Sequence, residues 1–124
     1  MTAALAAALR ACAAGLYCSE AGTELLIGHE TFLHRGDFAA FIWEGTSITD
    51  GVTPMAGIDW DAAVTALHGG SLPASSGERS VLQLAASIAA GTPVALRDTV
   101  TSLDSANLQL LLTAIRHAAG HRPR

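Results

Sequence analysis

The sequence predicts an all-α fold: an irregular bundle of about five helices plus two short helical turns, in a single helical domain over residues 1–124. Three observations carry this expectation. Alanine and leucine dominate the chain and favour helix, whereas the β-branched and aromatic residues that strands prefer are few and scattered. Apolar residues recur at i, i+3, i+4 and i+7 in one segment after another. Start and stop signals bracket the clearest of those segments. Ser75-Ser76-Gly77-Glu78 has the S-x-x-E spacing of a capping box, and Gly91-Thr92-Pro93 ends the apolar run that follows. Asp104 stands at an N-cap position, and Gly120 closes the helix that it opens.

A chain of 124 residues suits one domain, and with 50 % of its residues apolar it can bury a core without staples. From the N-terminus, Thr2 can cap a helix over residues 3–14 with a stripe of Leu5, Leu9, Cys12 and Leu16. Gly15 and Ser19 favour a break before the next helix, over residues 20–34. Leu25, Leu26, Phe32 and Leu33 mark the apolar face of that second helix. His29 falls on the same face and reads as a satisfied core histidine, buried and neutral, while Glu30 and His34 form a surface i, i+4 pair. Asp37 caps a short helix over 38–43, with Phe38, Phe41 and Ile42 on one side.

Residues 44–57 are rich in Gly, Thr, Ser, Asp and Pro and carry no period, so they read as the most mobile internal segment. A short hairpin around Thr49-Asp50-Gly51 is the one place where strand is expected. Asp59 then caps a helix whose face is Trp60, Ala63, Val64 and Leu67, with Ile58 at the staple position and Gly69-Gly70 as the stop. The helix over 76–90 buries Val81, Leu84, Ala85 and Ile88, and a short turn over 96–101 precedes the last helix.

That last helix has nearly two apolar faces. Its main stripe is Leu108, Leu111, Leu112, Ile115 and Ala119; a second stripe is Leu103, Leu110, Ala114 and His117. A surface helix needs one apolar face. Either this helix is central to the bundle, or its second face is covered by another chain. The preceding long helix is also broad, with Leu82, Ala86 and Ala89 beside its main stripe. Two such helices are hard to bury in a domain this small. Leu103, Leu110, Ala114 and His117 are therefore the candidate interface, and a homodimer is expected.

Charge and motifs exclude more than they assign. A net charge of −4, with no Lys, gives no general attraction to phosphate, and the single basic cluster is the tail Arg122-Pro123-Arg124. Cys12 and Cys18 are too few for a disulfide framework or a thiolate zinc site, and read as small, buried or half-buried residues in a reducing compartment. The alanine-rich start lacks a positive n-region, and Arg10 interrupts it, so neither a signal peptide nor a membrane span is expected and a cytoplasmic protein is the default.

His29-Glu30-Thr31-Phe32-Leu33-His34 fails as a zinc motif, because histidines at i and i+5 point about 140° apart on a helix. His117 and His121 have the i, i+4 spacing, but Gly120 breaks the helix between them, and a histidine near a helix C-terminus suits the dipole. The hydroxyls around Ser75–Ser80 read as a cap, and Asp59 and Asp61 as acids in a first helical turn. There is no G-x-S-x-G, no P-loop and no G-x-G-x-x-G.

Catalytic residues, cofactor and metal are accordingly none, and the expected role is a small non-enzymatic protein–protein interaction module, self-associating or with another protein partner. Two alternatives stand beside it. One is a helix-turn-helix-like DNA-binding regulator using residues 87–100, weakened by the acidity of the chain and by an Asp in the reading helix Ala95-Leu96-Arg97-Asp98-Thr99. The other is a small helical ligand-binding protein or enzyme whose pocket gathers distant residues such as His29, Glu30, Asp59 and Trp60.

Overall fold

The computed structural model describes residues 1–121; the tail Arg122-Pro123-Arg124 lies outside the described residues. The fold is predominantly helical. In chain order come α1 (Ala3–Ala13), α2 (Tyr17–His29), two 3-10 turns (Phe32–His34 and Gly36–Phe41), β1 (Ile42–Thr46), β2 (Pro54–Ile58), α3 (Trp60–His68), α4 (Ser76–Ala90), α5 (Leu96–Val100) and α6 (Ser105–Ala118). The strands correct the all-α expectation: β1 and β2 pair antiparallel, with Ile42 opposite Ile58 and Trp43 opposite Gly57.

The caps follow the sequence. The Thr2 side chain accepts the Leu5 N–H, Asp59 accepts that of Ala62, and Asp104 accepts that of Asn107. Ser75 and Glu78 form the full capping box: the Ser hydroxyl accepts the Glu78 N–H and the Glu carboxylate accepts the Ser75 N–H at 2.8 Å. Gly91 ends α4 in the left-handed region.

Residues 14–46 depart from expectation in three places. The break between the first two helices falls at Ala14 to Leu16, so α2 begins at Tyr17. α2 ends at His29, five residues early. Glu30 takes a left-handed conformation (φ 64°) and its N–H reaches the carbonyls of Leu26 and Ile27, closing the helix without a glycine. Phe32 and Leu33 still reach the core, by way of the 3-10 turn rather than along a helix face. The helix expected over 38–43 is a 3-10 turn ending at Phe41, after which Ile42 and Trp43 turn extended, as their β-favouring side chains allow.

Residues 44–57, expected to be the least ordered stretch, form most of that hairpin. Its tip is held by Asp50, whose carboxylate accepts the Val52 and Thr53 N–H groups and the Thr53 hydroxyl. These bonds hold the Asp50 carboxyl down at about 2, the Thr53 hydroxyl contributing most. The Trp43 indole lies against Gly57 so closely that a Cβ there would sit 2.3 Å from it. The base of the hairpin is tied by Asp59 N–H to Phe41 C=O at 2.7 Å.

Two clusters make up the core. The first packs α1 and the end of α2 against the 3-10 turns, β2 and α3, around Leu9, Leu26, Phe32, Phe38, Ala56, Leu67 and Leu82. The second joins α2, α4 and α6 through Ala21, Leu25, Val81, Leu84, Ala85, Leu111 and Ala114. α4 contributes to both, Leu82 to one and Val81, Leu84 and Ala85 to the other. It is therefore the central helix, and both of its apolar stripes are used within the chain. α1 buries Ala6, Ala8, Leu9 and Ala13, which turns Cys12 and Leu16 of the expected stripe outward. Both cysteines are exposed and unpaired, against the expectation of burial.

Candidate functional site

α6 is the element whose surroundings differ most from what its sequence suggests. The face it turns inward carries Leu111 and Ala114, each 4 % exposed, flanked by half-buried Leu103, Leu110, His117 and Ala118. The outer face carries Leu108, Leu112 and Ile115, which are 41, 43 and 47 % exposed. Of the stripe expected inside, only Leu111 is buried. The stripe expected at an interface (Leu103, Leu110, Ala114 and His117) packs against the chain's own second core or against α2.

The physical reason lies in α2. Small residues on it let α6 approach closely: Leu110 rests over Gly28, where a Cβ would meet its Cδ2 at 3.0 Å. Ala114 needs little room there. At the C-terminal end, His117 Nε2 lies 2.7 Å from the Glu20 carboxylate, with both side chains only 14 % exposed, so Nε2 donates the hydrogen bond. Glu20 also accepts the Gly15 N–H, so it fixes the α1–α2 corner as well as α6. The bulkier branched residues Leu108, Leu112 and Ile115 are left on the outside.

The His117–Glu20 pair borders a cavity of about 210 Å³ between α1, α2 and α6. Its wall also holds Arg10 and Glu24, joined by two hydrogen bonds of 2.6 and 3.2 Å. Ala13 and Thr23 line both this cavity and a neighbouring one of about 220 Å³, whose walls include Trp43, Trp60 and Cys12. Local spacing could not announce either ion pair, because Glu20 and His117 are 97 residues apart and Arg10 and Glu24 14 apart. The available hint was Glu20 and Glu24 at i, i+4 on one face of α2.

The other sequence-selected residues do not converge. His29 stands at the end of α2 with Nδ1 buried and without a hydrogen-bond partner, so it is not the satisfied core histidine expected. Desolvation lowers its pKa, opposed by the charges of Glu78 and Asp104 at the starts of α4 and α6. Glu30 caps α2, Asp59 caps α3, and Trp60 lines the tryptophan cavity. His34 bonds the Met1 amino group through Nδ1 at 2.7 Å, and no Glu30–His34 pair forms. His121 lies beyond the end of α6, past Gly120 at φ 91°, so it shares no helical face with His117.

Among the described residues, no group of three or more His, Cys, Asp or Glu side chains is placed to hold a metal, and no helix is long and apolar enough to cross a membrane. α5, the reading element of a helix-turn-helix, has five residues and presents one arginine, Arg97. No protein-family model, no curated protein and no solved structure matches this chain.

Proposed function

We propose that the chain is a protein-contact module that self-associates through the outer face of α6. One observation carries this reading: Leu108, Leu112 and Ile115 stand exposed at i, i+4 and i+7 on a helix whose inner face already closes the core. Apolar side chains at i, i+4 and i+7 along one helix are the spacing by which an amphipathic helix docks on a partner. The helix is also held in place before any partner arrives, by Leu111 and Ala114 in the core and by the His117–Glu20 bond, which lowers the entropy lost on association.

A second copy is the favoured occupant because the face is self-complementary. Antiparallel pairing of two α6 helices about Leu112 sets Leu108 against Ile115 of the mate. It also brings Arg116, in the last turn and without an ion pair among the described residues, toward the Asp104 end of the mate. Opposed helix dipoles favour the same arrangement, and a twofold contact uses one patch twice. A concentration series of amide NMR spectra tests the reading. Dilution should shift resonances of residues 104–119 and leave those of the hairpin in place; shifts confined to other elements would exclude this face.

A further inference from the structure

α5 is amphipathic the wrong way round. Leu96 and Val100 point outward, 58 and 41 % exposed, whereas Thr99 is buried and Asp98 lines a cleft against α4. An apolar pair facing water and a polar side facing protein is the reverse of what burial alone would select. The cleft behind α5 has a volume of about 310 Å³.

Its floor is polar and internally satisfied. The Ser80 and Ser102 hydroxyls lie 2.5 Å apart, the Ser102 hydroxyl donates to the Thr99 or the Ser76 carbonyl, and the Thr99 hydroxyl donates to the Ala95 or Leu96 carbonyl. Its rim is not satisfied. Arg79, from α4, lines the cleft and uses Nη1 on the Leu67 carbonyl at 3.1 Å, which anchors the guanidinium and leaves its other side-chain N–H groups without a hydrogen-bond partner among the described residues. Asp98, from α5, stands on the other wall. Neither has an ion-pair partner among the described residues, and they do not pair with each other. The Ser76 hydroxyl and the Gln83 amide line the same space, and neither side chain has a hydrogen-bond partner among the described residues.

We propose that this cleft binds a small zwitterion of the α-amino-acid type, with the carboxylate on Arg79 and Ser76 and the ammonium on Asp98. A planar guanidinium held from behind matches a carboxylate, and a carboxylate on the facing wall matches an ammonium. A lone anion would meet Asp98 and a lone cation would meet Arg79, so each is disfavoured by the group that the zwitterion satisfies. The hydroxyls and the amide supply neutral partners between the two charges. The inference stands apart from self-association, since it uses the inner side of α5 and not the outer face of α6.

The test is an amide NMR titration of the full chain with L-serine, and separately with acetate and ethylammonium. L-serine should give saturable shifts confined to residues 76–83 and 98–102, and each half-ligand should bind at least about tenfold more weakly, the loss expected when a charge-assisted hydrogen bond is removed. Asp98→Asn changes an exposed side chain and leaves the fold intact; it should weaken L-serine by about tenfold and abolish the preference for L-serine over acetate. Absence of saturable shifts with L-serine, equal binding of acetate and L-serine, or unchanged binding by Asp98→Asn would each overturn the proposal.

Discussion

Gly22 shows how one atom can outweigh a propensity. It sits where α2 crosses α4, and a Cβ there would lie 2.5 Å from the Ala89 Cβ and 2.7 Å from the Ala85 carbonyl oxygen. Gly22→Ala would raise helix propensity by about 1 kcal/mol, but the clash is with backbone and with a methyl that has no rotamer to escape into. Chemical denaturation should therefore show a net loss of about 2 kcal/mol or more. A stabilised variant would mean that the two helices are further apart than described.

His29 makes the opposite kind of prediction. Its buried Nδ1 has no partner, and an unsatisfied buried polar atom costs roughly 1–3 kcal/mol. His29→Leu should raise the unfolding midpoint. The pH dependence has a definite sign: the folded pKa is lowered, so the unfolded chain binds the proton more readily. The stability associated with neutral His29 is complete above the unfolded value of about 6.5 and is lost as pH falls through the lower folded value. The wild-type midpoint should thus fall below that of His29→Leu by a growing margin as pH drops through this window, and a constant difference would refute the burial of Nδ1.

Among the elements, the hairpin carries the sharpest expectation. The Asp50 carboxyl should titrate at about 2 by NMR, and the stability it gives the loop is present above the usual carboxylate value of about 3.9 and lost as pH falls through 2. Asp50→Ala should speed hydrogen exchange in residues 42–58 while leaving α4 unchanged. A global loss of protection would show that the hairpin unfolds only with the whole domain. The helices themselves were largely readable from sequence, because caps such as Ser75–Glu78, Asp59 and Asp104 act within one turn. The hairpin was legible only at its turn, Thr49-Asp50-Gly51, which the structure places in the loop between the strands; the extent of the strands was not, because neither five-residue run carries a hydrophobic period. What orders them is the Asp50 loop and the packing of Ala56 in the first core. The sequence predicts α2 to run on to residue 34 for a related reason: Glu30 takes the left-handed conformation itself, so no glycine marks the stop.

For the whole molecule, the pattern of two broad helices was visible in the sequence, but their division of labour was not. α4 takes the centre and buries both stripes. α6 lies at the edge, and its inner stripe is selected by contacts that no local pattern reveals: Gly28 beneath Leu110, and Glu20, 97 residues away, on His117. Leu110 therefore reports on packing against α2, and Leu112 is the residue whose change isolates the outer face. The most direct test is sedimentation equilibrium over a concentration series on three proteins: wild type, Leu112→Glu and Leu111→Glu. A dimer through α6 predicts a wild-type monomer–dimer equilibrium and a Leu112→Glu protein that keeps its helical circular dichroism but stays monomeric. Leu111→Glu should unfold, because a buried unpaired carboxylate costs several kcal/mol, comparable with the ~5–15 kcal/mol stability of a domain. A wild type that remains monomeric at high concentration, or a Leu112→Glu protein that dimerises as the wild type does, would contradict self-association through this face.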